Sequence, residues 1–208
     1  MTTILLHGLG QGPESWDAAA RGLEGKILRP DLFVPVRGGA VSYREIYQAF
    51  AGDCQRLGRP LRLCGLSLGG ILALQYALEH PEGVEALALI GTPCVMPKGL
   101  LWFQNAVFRL LPRRAFRQMG LSKREVIGLT GSMLDLDFRE DLGRIACPVL
   151  VLCGERDRAN RKAALELRAG IPGAEAAWIP GAGHEVNRDA PEALAEVLRE
   201  FFGRVCAG

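Results

Sequence analysis

The sequence predicts an α/β protein, a mostly parallel sheet of roughly six strands with helices on both faces. Three observations carry that expectation. Short apolar runs such as Leu61–Cys64, Ala86–Ile90 and Val149–Cys153 alternate with longer segments of helical periodicity. These runs are apolar throughout, without the polar alternation of a sheet wetted on one side, so each strand should be buried on both faces. The composition, 208 residues with 49% hydrophobic and 23% charged side chains, suits one domain with a sizeable core, at a prior of roughly 150 residues per domain.

The elements follow in order. Thr2–Leu6 reads as a strand stopped by His7-Gly8, and Pro13–Leu23 as a helix with Pro13 near its first turn. Lys26–Arg29 is a short strand ending at Pro30-Asp31. Tyr43–Leu57 places Ile46, Tyr47, Phe50, Ala51 and Leu57 near helical spacing, with Gly58 as its C-terminal stop. Leu61–Cys64 is a strand, Ser67–His80 a helix ended by Pro81, and Ala86–Ile90 a strand stopped by Gly91-Thr92-Pro93. Val149–Cys153, the helix core Ala163–Arg168, the strand Glu175–Ile179 and the amphipathic helix Pro191–Phe202 complete the pattern. Residues 97–134 are far longer than one crossover helix needs. They read as a small helical insertion at the carboxyl edge of the sheet, within a single domain spanning 1–208.

Charge and cysteine usage narrow the class. Lys plus Arg is 25 and Asp plus Glu is 23, a net +2, without the basic excess of a nucleic-acid binder. The N-terminus has no basic region and too short an apolar run for a signal peptide, and no run approaches the ~18 to 20 residues of a membrane span. A cytoplasmic protein with no membrane partner is expected. Cys54, Cys64, Cys94, Cys147, Cys153 and Cys206 form no CxxC pair and no zinc-spaced cluster, so reduced, buried thiols and no metal site are expected.

One motif carries chemistry. Gly65-Leu66-Ser67-Leu68-Gly69 follows a strand and opens a helix. The turn is so sharp that the residues two before and two after the serine must be tiny. The serine then stands strained and exposed above the sheet, over a helix N-terminus whose free N–H groups include that of Leu68, a candidate donor to a developing oxyanion. A serine needs a base. Of His7, His80 and His184, the last lies in Pro180-Gly181-Ala182-Gly183-His184, a glycine-rich loop after the final strand at the same sheet edge. His80 reads as a helix-end residue and His7 as one that shapes a loop. The base needs an anion, and Asp157 in Gly154-Glu155-Arg156-Asp157 follows the preceding strand, with Asp135 or Asp137 as alternatives. The loop His7-Gly8-Leu9-Gly10-Gln11-Gly12 is built for close backbone approach, and Leu9 N–H is the second candidate oxyanion donor.

The HGLG loop, the GLSLGG elbow, the PVLVLCGERD strand and loop and the PGAGHEVNRDAPEAL segment, in that order, resemble the α/β-hydrolase superfamily over Leu5 to Phe202. The resemblance implies a Ser67–Asp157–His184 triad, an oxyanion hole from Leu9 and Leu68, a cap over about 97–134, and neither cofactor nor metal. In one respect the sequence departs from the family. Family members usually carry two further strands before the one leading into the HG loop, and here that strand begins at Thr2. Lys26–Arg29 then becomes the sheet edge, to be covered by the loop Val34–Val41 or buried in a homodimer; monomer and homodimer both stay open.

A serine at the elbow argues against the dehalogenases and epoxide hydrolases of the superfamily, which place aspartate there. The leading expectation is a carboxylic ester hydrolase, with thioesters a further class, working through an acyl-enzyme. A lyase or C–C bond hydrolase on the same triad is the alternative, and a silent hydrolase-like binding protein a third. From Lys98 to Arg124 the insertion holds Lys98, Arg109, Arg113, Arg114, Arg117, Lys123 and Arg124 and no acid. That is either a solvated face or an attraction for an anionic or carrier-bound acyl substrate. Trp102, Phe103 and Phe108, with Phe116, are the aromatic candidates for packing the insertion and lining an acyl pocket.

Overall fold

A computed structural model describes residues 1–36, 41–58, 60–96, 99 and 121–207. Among these, six strands form one parallel sheet: β1 (Thr2–Leu6), β2 (Lys26–Leu28), β3 (Leu61–Leu66), β4 (Val84–Ile90), β5 (Val149–Gly154) and β6 (Glu175–Ile179), in the order β2-β1-β3-β4-β5-β6. After β1 the chain steps to the edge to make β2, then returns past β1 to make β3, and every later strand adds on that side. The direction of winding therefore reverses between β1 and β3. Ligand crevices of open parallel sheets lie at such a reversal, outside the carboxyl ends of the strands.

Alternate residues of the central strands feed two cores. Ile4, Leu6, Leu61, Leu63, Leu87, Leu89, Val149 and Val151 join one buried cluster. It includes residues of α2 (Tyr43–Leu57), α3 (Leu68–Glu79), α4 (Lys123–Ser132) and α5 (Arg161–Gly170). Leu5, Cys64, Leu66, Ala86, Ala88, Ile90, Leu150 and Leu152 join the other, with Ala19 of α1 (Asp17–Ala20), Val186 of α6 (Val186–Asp189) and Leu194, Leu198, Phe201 and Phe202 of α7 (Pro191–Ala207). Burying one such aliphatic side chain stabilises by about 2 kcal/mol. Both faces of the sheet are thus covered, and a one-residue slip would exchange the two sets of side chains.

Local chemistry sets the helix ends. α2 opens on a capping box in which Ser42 and Glu45 satisfy each other's backbone N–H groups, and it stops at Gly58, whose φ of +79° suits glycine. α4 opens on the same device with Ser122 and Glu125. The predicted helix 13–23 is instead a 3-10 turn, Pro13–Trp16, followed by the single turn of α1. Past Ala20 the chain continues in tighter turns, with the Gly22 N–H on the Ala19 carbonyl and the Leu23 N–H on the Ala20 carbonyl, where Gly22 packs so closely on α7 that a Cβ there would lie 2.7 Å from that of Ala195. α7 runs to Ala207, beyond the predicted Phe202, and β3 runs two residues further than expected, into the elbow. α6 is a single turn too short to show a period.

Of the insertion, α4 is the part that the structure describes; Trp102, Phe103, Phe108 and Phe116 lie outside the described residues. Val126 and Leu129 of α4 are fully buried, and Ser132 Oγ accepts the Tyr43 N–H at 2.9 Å, which ties α4 to the start of α2. β2 is an edge strand. The segment after it turns inward, with Leu32, Phe33 and Val36 buried in the α2 side of the core. No described helix is long and apolar enough to cross a membrane. Cys54, Cys64, Cys94 and Cys153 are buried thiols outside any disulfide, and Cys147 is a half-buried one.

Candidate active site

The elbow is defined by backbone contacts. Ser67 has φ 52° and ψ −112°, and it is the single non-glycine residue at positive φ among the described residues. Such a conformation costs about 1–3 kcal/mol and persists only where the surroundings impose it. They do so here. A Cβ on Gly65 would lie 2.3 Å from the Gly69 carbonyl carbon, and one on Gly69 would lie 2.3 Å from the Leu6 carbonyl oxygen. The Ser67 N–H donates to the Ile90 carbonyl at 2.9 Å, and the Ser67 carbonyl accepts the Ile71 N–H at 3.0 Å, so the residue is held from both sides. Leu68 is the first residue of α3, where an N–H has no partner within the helix.

Asp157 and His184 come together at the ends of β5 and β6. His184 Nδ1 donates to Asp157 Oδ2 at 2.7 Å, and the Asp157 side chain is only 5% exposed. This contact carries the proton on Nδ1 and leaves the Nε2 lone pair unprotonated. The two loops interlock, because a Cβ on Gly154 would lie 2.0 Å from the Gly183 carbonyl oxygen. The Arg156 N–H also donates to the Ala182 carbonyl at 2.9 Å. Gly91 backs the imidazole: its φ is +51°, and a Cβ there would lie 2.9 Å from His184 Nδ1. Gly91 directly follows Ile90, whose carbonyl holds the serine, so one turn after β4 supports both the elbow and the imidazole. Asp137, an alternative acid, is paired with Arg139 instead, at 2.5 Å.

The loop after β1 sits beside the elbow, where a Cβ on Gly8 would lie 3.7 Å from that of Ser67. His7 is fully buried and organises this loop. Its Nδ1–H donates to the Gly8 carbonyl at 3.0 Å, and its Nε2 accepts the Leu32 N–H at 3.1 Å. Desolvation holds this imidazole below its ordinary value of 6.5, against smaller opposing effects of the Gly8 carbonyl and of Asp31 and Glu14. His80 ends α3, with its N–H on the Tyr76 carbonyl. Beside the acid, burial and the Asp157 charge push the Cys153 thiol up to about 11. Among the described residues no group of three or more His, Cys, Asp or Glu side chains is placed to hold a metal ion.

Two features of this region went unread in the sequence. Asn160, the residue before α5, lies within hydrogen-bond distance of both carboxylate oxygens of Asp157 and of His184 Nδ1. Gln11 and Asn187 pair across the site. Asn160 stands where helix-start residues commonly stand, so its local spacing does not single it out, and nothing local marks the Gln11–Asn187 pair.

A strand–serine–helix elbow beside an Asp–His pair, at the winding reversal of a parallel sheet, defines a hydrolase scaffold. The model described as Alpha/beta hydrolase family matches residues 3–197, and the chain belongs to that family. A pimeloyl-(acyl-carrier protein) methyl ester esterase of Aromatoleum aromaticum is 35% identical over 97 residues, 46% of this chain and 39% of that protein. The protein of the same name from Yersinia enterocolitica is 27% identical, over 95% of this chain and 92% of its own. A crystal structure of a hydrolase from Pseudomonas aeruginosa superposes with a TM-score of 0.83 at 23% identity, covering 97% of this chain and 89% of that one.

Proposed function

We propose that this α/β-hydrolase cleaves carboxylic esters through an acyl-enzyme on Ser67. The observation that carries the reading is the shared support of the two halves of the site. Ile90 holds the serine backbone while the adjoining Gly91 backs an imidazole already paired with Asp157 at 2.7 Å.

In this reading Ser67 Oγ attacks the ester carbonyl as His184 Nε2 takes its proton. Asp157 keeps the imidazole in the Nδ1–H tautomer and stabilises the imidazolium. The Leu9 and Leu68 N–H groups receive the developing oxyanion. The imidazolium then protonates the leaving alcohol. Water, deprotonated by His184, releases the acid and restores Ser67.

The substrate class we favour is an ester of an acyl chain bearing a negative charge or borne on an acidic carrier. Two relatives named above are pimeloyl-(acyl-carrier protein) methyl ester esterases, and from Lys98 to Arg124 the insertion carries seven basic residues and no acid. Trp102, Phe103 and Phe108 are the proposed apolar contacts of the chain, and the cytoplasm is the proposed compartment.

The test is an acyl-length panel of activated esters and thioesters, with a fluorophosphonate to label the serine. Ser67→Ala should lose turnover by about a thousandfold or more together with the label. Full turnover by that variant overturns the assignment. Labelling without hydrolysis of any ester would point to lyase or C–C hydrolase chemistry on the same residues. For an anionic ester, kcat/KM should fall as salt rises, and a flat response removes the charged-substrate reading.

A further inference from the structure

We propose that Asn160 is a positioning residue for the Asp157–His184 pair: its side-chain amide clamps the carboxylate with Oδ2 toward the imidazole and tempers the charge that the imidazole meets. The inference rests on the reading above, in which His184 is the base.

Asn160 Nδ2 lies 3.0 Å from Asp157 Oδ1 and 2.9 Å from Oδ2, and the Asn160 backbone N–H reaches Oδ1 at 3.2 Å. The same Nδ2 is 3.1 Å from His184 Nδ1. Because Nδ1 donates its own hydrogen to Oδ2, it has no lone pair to offer, and the amide donates to the carboxylate, its hydrogen shared between the two oxygens. The reverse orientation of the amide would set its oxygen against two carboxylate oxygens, so the network selects the orientation. Asn160 does not spend its side chain as a helix cap, although it stands at the cap position of α5. Without the amide, Asp157 would keep one partner on each oxygen among the described hydrogen bonds, the Asn160 backbone N–H on Oδ1 and the imidazole on Oδ2, and its carboxyl group would be held less firmly about Cβ–Cγ.

The amide also competes for charge. Donors on a carboxylate draw on the lone pairs that would otherwise support the imidazolium. The neighbouring ionisable groups are engaged elsewhere or point outward. Arg161 stacks over Trp178, Glu155 accepts the Gly181 N–H, Glu185 pairs with Arg188, and Asp189 accepts the Gly183 N–H. Arg156 and Arg158 on the acid loop are exposed, the Cys153 thiol contacts the Asp157 carbonyl, and Gly91 from β4 brings no charge.

Loss of the amide therefore has a signed consequence. An undivided Asp157 charge favours the imidazolium, and the titration midpoint of His184 rises. Mere loosening of packing would weaken the 2.7 Å contact and lower it.

The experiment is an NMR titration of the imidazoles, three in all, in the wild type, Asn160→Ala and Asn160→Leu, with pH–rate profiles alongside. Leu keeps the volume without the donors, and it reads the result where Ala fails to fold. Both variants should raise the His184 midpoint by about half a pH unit. The acid limb of kcat/KM should move with it, and kcat should fall roughly tenfold to a hundredfold with KM within about twofold. A midpoint that stays or falls, or a Leu variant that behaves as wild type, overturns the proposal. The titration reads Asn160 whether or not any ester is turned over. Turnover surviving in Ser67→Ala would overturn the functional reading and leave the titration untouched.

Discussion

Gln11 and Asn187, 176 residues apart in the chain, exchange two side-chain amide hydrogen bonds at 3.2 and 3.1 Å. Both are buried, at 5% and 1% exposure, so neither amide has water to fall back on. Gln11 Oε1 also receives the Gly8 N–H at 3.4 Å, and Asn187 Nδ2 donates to the Ser15 carbonyl at 3.2 Å. The loop after β1, which carries Leu9, is thereby fastened to the turn that follows His184. The amides set the spacing of two site loops that arise from distant parts of the chain.

Asn187→Ala should destabilise the protein by about 2 kcal/mol, because it leaves a buried Gln11 amide and the Ser15 carbonyl without this partner. Gln11→Ala should cost a similar amount. The double variant should lose about 1 kcal/mol less than the sum, since the second truncation removes a group that is already stranded. Urea unfolding of the four proteins measures this, and strict additivity would contradict the pairing.

Gly91→Ala should leave the fold intact and slow turnover at least tenfold. A methyl group there meets the imidazole at 2.9–3.0 Å while the backbone stays at φ +51°. The imidazole is the softer partner and has to move. Steady-state kinetics read alongside the melting temperature would show the effect, and an unchanged kcat would mean that the ring accommodates the methyl in place.

Gly65→Ala and Gly131→Ala should act in opposite directions. At Gly65 the methyl meets backbone at 2.3–2.4 Å, and the elbow should lose about 3 kcal/mol. At Gly131, inside α4, it meets nothing within 4 Å, and the helix should gain about 0.5–1 kcal/mol. Denaturant midpoints compare the two directly.

His7 should make stability fall on mild acidification. Burial keeps its folded form neutral below the ordinary value of 6.5. Above that pH neither folded nor unfolded chain is protonated there, and the residue contributes no slope. Below it the unfolded chain binds a proton that the folded chain refuses, so stability declines until the lowered folded value is reached. Protonation also removes the Nε2 acceptor of the Leu32 N–H. Denaturation midpoints from pH 8 to 5.5 should show this decline, and His7→Gln should flatten it.

Much of this architecture is written locally. Thr2–Leu6, Tyr43–Leu57 and Glu175–Ile179 begin and end where their apolar patterns and glycine, proline or capping residues place them. The elbow is legible because its steric demand takes the form of glycines two residues to either side of Ser67. The ends of β5 and β6 are legible as strand termini, which brings Asp157 and His184 to one edge before any distance is known. Three features escape a local reading. The predicted helix 13–23 is broken into tight 3-10-type turns that pack on α7, a tertiary contact. Asn160 looks like an ordinary helix-start residue until the orientation of its amide is seen. The Gln11–Asn187 pair spans most of the chain, and no window along the sequence contains both partners.

The short edge strand has a bearing on self-association. β2 contributes three residues to the ladder, Lys26 to Leu28, and Pro30 follows close behind. A second chain seeking to extend the sheet there would find a template of three residues, with an exposed charge at its start and a residue lacking an amide hydrogen just past its end. Brevity, lysine and proline are the devices by which natural sheets keep their edges from templating fibrils. The protein can thus leave this margin of its sheet open without inviting runaway strand addition.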